Sequence, residues 1–117
     1  MSQERVKQSF TVPGASGSYA FERLTFGEMG SGQARLKVEG ITVSVFSSVA
    51  SSQVEIWLPR VDASYPITDS DYTYSGWSIA ASGALTMPLA DYTGVQVRVK
   101  SGGTSGTAVV SATVKTR

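Results

Sequence analysis

The sequence contains no cysteine and no histidine. That excludes disulfide frameworks, Cys/His zinc sites, cysteine nucleophiles and every Ser-His-Asp arrangement. A marked excess of either charge is also missing. Ten basic residues face nine acidic ones, for a net charge of +1, too balanced for a protein that holds nucleic acid electrostatically. Leucine is scarce, at five, and no apolar run approaches the roughly 20 residues of a membrane-spanning helix. The start, Met1-Ser2-Gln3-Glu4-Arg5-Val6-Lys7, has no apolar stretch of the kind a secretory signal requires. The expectation is synthesis and assembly in the cytoplasm.

What is present points one way. The 117 residues make one domain, and 41% hydrophobic content is enough for a packed core. Valine is the commonest apolar residue, at 14, beside 18 Ser, 11 Thr and 12 Gly. Val and Thr are stiff at χ1 and suit pleated surfaces, while Gly and Ser supply turns. The composition predicts an all-β chain of many short strands.

Period-2 alternation recurs along the chain. Val6, Phe10 and Val12 share one face, with Arg5, Lys7, Ser9 and Thr11 on the other. Residues 1–9 are polar and read as an N-terminal arm or edge strand, ahead of a single domain at 10–117. Tyr19 to Phe26 reads as a second strand. Ala34, Leu36 and Val38 alternate, then Ile41, Val43 and Val45, and the apolar parity flips across Glu39-Gly40. A flip turns a strand inside out unless a bulge absorbs it, so Gly40 is read as a bulge. Val54, Ile56 and Leu58 form the next apolar face, opposite Gln53, Glu55 and Trp57. Tyr72 to Ile79 surrounds Gly76. Pro88 confines Leu85–Leu89 to a sheet edge or strand end. Val95, Val97 and Val99, then Ala108, Val110, Ala112 and Val114, flank a Gly-rich loop and read as an antiparallel hairpin. About eight strands without helical periodicity predict an antiparallel β-sandwich, of which the jelly roll is one form.

The chemistry-bearing residues give weak signals. Glu39 and Glu55 fall on polar strand faces, where solvent is the default surrounding, so they make no catalytic pair. Asp69-Ser70-Asp71 lacks the Gly and closing Glu of an EF-hand and reads as a turn whose carboxylates bond local N–H groups. The loops around Gly14 and Gly102 do not open onto helices and lack Gly-Lys-Ser/Thr, so they are turns and not phosphate cradles. No catalytic residue, metal or cofactor is expected. The aromatics are more informative. Trp57 is out of phase with its apolar neighbours, and Tyr65, Tyr72, Tyr74 and Trp77 cluster nearby. They fill a core or form a contact surface, and Trp57 is the one expected at a surface. Arg5 and Lys7 share a face suited to an acidic partner.

The stretch from Ser82 to Lys100, with its Asp91-Tyr92 corner and Val95-Gln96-Val97-Arg98-Val99, and its continuation to Val114, resembles segments of small β-sandwich virion proteins of tailed bacteriophages. These include capsid decoration (cement) proteins and fibre modules. The resemblance covers about a third of the chain and transfers no functional residue. It implies a non-enzymatic virion protein on the capsid surface, bound to the major capsid protein or another virion protein. It also implies a homo-oligomer, with a trimer favoured. The alternative is a carbohydrate- or receptor-binding fibre module that stacks ligand on the exposed rings. Neither reading involves nucleic acid or a membrane.

Overall fold

The computed structural model describes residues 2–26, 38–47, 52–60, 68–80, 83–92 and 94–116. Eight strands build it: β1 (Ser2–Val12), β2 (Leu24–Phe26), β3 (Val38–Ser47), β4 (Gln53–Pro59), β5 (Tyr72–Ala80), β6 (Ala84–Tyr92), β7 (Val95–Lys100) and β8 (Gly106–Thr116). Among the described residues the one helical element is a 3-10 turn, Asp69–Asp71.

The strands form two four-stranded sheets, β1-β8-β3-β6 and β2-β7-β4-β5. Every pairing is antiparallel, and β1 with β8, β2 with β7, β3 with β6 and β4 with β5 each sit side by side. This is one long hairpin of strands rolled so that its pairs divide between two sheets, the jelly roll. The core lies between the sheets. Val43, Ile56, Val97, Val110 and Val114 are all fully buried there, with Phe10 and Val12 from β1. The alternation read from the sequence therefore identifies the inward rows correctly.

Two local expectations hold. β3 is one strand whose register shifts between Val38 and Gly40 against both neighbours, so the parity flip is a bulge. β6, which carries Pro88, is an edge strand. Residues 2–9 are continuous with the rest of β1, and β1 pairs with β8 from Ser2 opposite Thr116 to Val12 opposite Gly106.

Three expectations are corrected. Val95–Val99 and Ala108–Val114 do not pair with each other, because β7 lies in one sheet and β8 in the other. Their apolar rows meet across the core. The linker is drawn away from a hairpin by Ser101, whose hydroxyl donates to the Pro13 carbonyl. The Ser101 N–H donates to the Ser18 carbonyl (2.8 Å), and its carbonyl accepts from Gly17 N–H (2.9 Å). The two glycine loops are thus fastened to one another. Second, the Tyr19–Phe26 strand shrinks to Leu24–Phe26 plus an isolated bridge between Tyr19 and Lys100. The Arg23 guanidinium bonds the Ala20 and Glu22 carbonyls and holds the intervening backbone in a bend. Third, Glu55 is buried.

Candidate surface site on the second sheet

Inward Val54 and Ile56 on β4, and Val95, Val97 and Val99 on β7, leave Glu55, Trp57, Gln96 and Arg98 on the outer face of the second sheet. The register sets their neighbours. Glu55 lies opposite Arg98 on one side and Ser78 on the other. Trp57 lies between Gln96 and Tyr74, and Gln96 lies between Trp57 and Thr25. Opposed side chains in an antiparallel ladder touch, so two cross-strand rows of polar and aromatic groups result.

Two segments cover this face. Tyr19–Arg23 is laid over β7 by the Ala20 N–H, which donates to the Val99 carbonyl (2.9 Å). The Asp69–Asp71 turn covers the other flank. Beneath them Glu55 is 3% exposed, Gln96 1% and Arg98 8%. Buried polar groups need partners, and these have them. Glu55 Oε1 accepts from the Tyr19 hydroxyl (2.7 Å) and from Trp57 Nε1 (3.1 Å). Gln96 Nε2 donates to Thr25 Oγ1 (3.0 Å) and Asp69 Oδ1 (2.9 Å). Arg98 Nε donates to Gln96 Oε1 (2.6 Å) and its Nη2 to the Asp69 carbonyl (2.7 Å). The Arg98 guanidinium carbon sits 3.9 Å from the centroid of the Trp57 ring, a cation–π stack. Tyr19 meets that ring edge-on at 5.9 Å, and Tyr74 lies tilted against it at 5.8 Å.

The electrostatics follow from this enclosure. Burial, and then the hydrogen bond to Glu55, push the Tyr19 hydroxyl up to about 12. Burial and then the nearby Arg23 pull the Arg98 guanidinium below its ordinary value, against the favourable pull of Asp69. Asp71 is held below the ordinary carboxylate value by the Thr68 N–H and hydroxyl that bond it. The Asp69-Ser70-Asp71 run is therefore a turn, as read from the sequence, but only Asp71 bonds a local N–H, while the Asp69 carboxylate turns to Gln96 and Arg23. Among the described residues no group of three or more potential metal ligands occurs.

The sequence-predicted residues separate. Arg5 and Lys7 are exposed on β1 of the first sheet, while Trp57, Tyr72, Tyr74 and Trp77 belong to the second. Tyr65 lies outside the described residues. Trp57 is half-buried by its neighbours. Tyr72 is buried, yet stands outside the main core cluster. Among the described residues the exposed rings are Trp77 (49%), Tyr74 (38%) and Phe21 (99%). Phe21 had no sequence signal, because one apolar residue in a bend breaks no pattern. Trp77 and Tyr74 flank a bulge in β5, where Gly76 adopts φ +89° and the register slips against Glu55–Trp57. There the Ser75 hydroxyl donates to the Ile56 carbonyl (2.6 Å) and accepts from the Trp77 N–H (3.1 Å). These exposed rings of the described residues thus belong to the second sheet or to the segment covering it.

No protein-family model matches the sequence, and no curated protein matches it. Solved structures do match in fold. The Yersinia pseudotuberculosis-derived mitogen is 11% identical, with a TM-score of 0.57 over 96% of this chain and 86% of that one. Aeromonas hydrophila PliG, a periplasmic inhibitor of g-type lysozyme, is 10% identical, with a TM-score of 0.54 over 97% and 86%. The SPBc2 prophage-derived protein YomS is 19% identical, with a TM-score of 0.48 over 96% of both chains. At these identities the likeness is one of fold.

Proposed function

We propose that this chain is a non-enzymatic structural protein of a phage particle, a decoration protein that attaches to the head through the outer face of its second sheet. One observation supports an attachment role most directly. The groups on that face capable of chemistry, Glu55 and Arg98, are committed to Tyr19, Trp57, Gln96 and Asp69, while the rings of Tyr74 and Trp77 stand open beside them. A rigid polar floor with exposed aromatics is suited to holding a surface. The particle assignment rests on the resemblance of residues 82–114 to virion β-sandwich proteins. The test compares heads assembled with and without the protein under a heat challenge. Retained packaged DNA at a higher temperature with the protein bound supports the proposal, and identical loss curves oppose it.

A second reading has its own motive. Tyr74 and Trp77 flank exposed Gly76 and stand near exposed Thr73 and Ser78, rings beside hydroxyls of the kind that stack on and bond a sugar. Retardation of the protein in polysaccharide gels, lost in Trp77→Ala, would favour this carbohydrate- or receptor-binding role over the first.

A further inference from the structure

The two sheets end in four edge strands, and three of these are blunted. β6 carries Pro88, β2 is three residues long, and β5 is broken by the bulge at Gly76. Such devices keep a sheet from pairing with another chain. β1 is the exception. It runs for 11 residues without Pro or Gly, and its register with β8 is unbroken from Ser2 to Val12.

The ladder shows which of its backbone groups are open. In an antiparallel sheet, successive residues of a strand turn their N–H and C=O groups to opposite neighbours. The Val45 N–H donates to the Gly83 carbonyl (2.9 Å), on the β6 side of β3. Thr42 and Ser44 therefore bond towards β8, where they lie opposite Thr113 and Ser111. β8 is left to bond β1 through Val110, Ala112 and Val114, which lie opposite Gln8, Val6 and Glu4. The backbone N–H and C=O groups of Arg5, Lys7, Ser9 and Thr11 thus point away from the sheet. Among the described residues nothing bonds them.

We infer that this edge takes up an extended segment of a partner protein as a fifth strand, and that the segment alternates acidic and apolar residues. The charges select the occupant. The side chains of Arg5 and Lys7 are exposed on one face of β1, and neither takes part in an ion pair among the described residues. Carboxylates two residues apart on an added strand stand opposite both. The residues between them fall on the other face, beside Val6, which is half-buried against the core. A second copy fits poorly. Laid antiparallel along the whole open stretch, it sets the two Lys7 side chains on a diagonal, roughly 7–8 Å apart, where like charges repel. Main-chain bonds supply the affinity of such a contact and the alternate side chains its specificity. The edge belongs to the first sheet and the proposed attachment face to the second, so the two readings fail independently.

The experiment follows amide hydrogen exchange by NMR in the full chain. Without a ligand, the amides of Val6, Gln8 and Phe10 should be protected and those of Lys7, Ser9 and Thr11 should exchange fast. The probe is the capped heptapeptide Glu-Val-Glu-Val-Glu-Val-Glu, which should slow exchange at Lys7, Ser9 and Thr11. Arg5→Ala/Lys7→Ala should weaken its binding about tenfold, the combined scale of two exposed charge pairs. Ser9→Pro removes only an outward N–H, which an edge strand tolerates. It should keep the wild-type far-UV circular dichroism and lose the peptide. A peptide methylated at its glutamate nitrogens puts the same question to the wild type, since it keeps every charge but cannot donate to the edge, and it should not bind. Four results would overturn the inference: fast exchange at Gln8 in the free chain, no added protection with the probe, equal binding by the methylated peptide, or equal binding by a peptide with Lys for Glu. Protection of Lys7, Ser9 and Thr11 that rises with protein concentration alone would also overturn it, because a second copy would then be the occupant.

Discussion

The guanidinium carbon of Arg98 sits over the ring of Trp57, 3.9 Å from its centroid, on the outer face of the second sheet. The same guanidinium bonds Gln96 and the Asp69 carbonyl. It therefore joins β7, β4 and the turn before β5, and it fixes the base on which Tyr74 rests.

Replacing Arg98 by alanine should destabilise the fold. The change removes two charge-assisted hydrogen bonds and leaves Gln96 Oε1 without its donor, at a cost of about 2 kcal/mol. That corresponds to a melting temperature lower by roughly 8 °C for a domain of this size. Differential scanning calorimetry reads the shift, and Trp57 fluorescence should change as the stack is lost. Arg98→Lys should recover only part of it, since an ammonium lacks the planar face that stacks on Trp57 and the rigid fork of donors that reaches Gln96 and Asp69 together.

Alkaline stability should depend on Tyr19. Its hydroxyl titrates at about 12 in the fold, against an ordinary value of 10.0. The folded state thus holds the proton more tightly than the unfolded chain does. The resulting stabilisation is complete below pH 10 and is lost as pH rises from 10 to about 12. Urea midpoints measured across that window should fall for the wild type and fall less steeply for Tyr19→Phe.

Gly76 should resist substitution. Its φ of +89° lies where a Cβ is strained, and Gly76→Ala should cost about 1 kcal/mol. The open surroundings would accept the methyl group, so the loss reports backbone strain and not a clash. Chemical denaturation with an unchanged m-value would separate this from a change in the unfolded state.

Truncation of residues 2–8 should lower the melting temperature by several degrees. Those residues pair with Thr116 to Val110 of β8, and they cover one side of a strand whose Ala112 and Val114 are fully buried. A thermal melt of the shortened chain within 1 °C of the wild type would contradict a structural role for this stretch.

The inward rows were legible because alternation reports which face of a strand is apolar, and Val95, Val97 and Val99 are all at zero exposure. Alternation does not report which sheet a strand joins. β7 and β8 therefore read as a hairpin, yet β8 pairs with β1 and β3, β7 pairs with β2 and β4, and Ser101 between them is fastened to the Pro13–Ser18 turn. The same gap hid the site. Glu55, Gln96 and Arg98 sit at polar positions, and a polar position reads as solvent-facing. Their burial comes from Tyr19 and Asp69, which are distant in sequence. Trp57 was out of phase for the reason given by its surroundings: it belongs to a second, outer cluster with Tyr19, Tyr74 and Arg98.

Attachment to a phage head through the exposed rings of the second sheet, the role proposed above, can be tested on assembled heads. Its most direct measurement is co-sedimentation of the purified protein with heads in a density gradient, wild type beside Tyr74→Ala/Trp77→Ala. The wild type should travel with the heads, while the double variant, still folded by its melting curve, should stay at the top. Wild-type protein left at the top, or a double variant that sediments equally well, would contradict it.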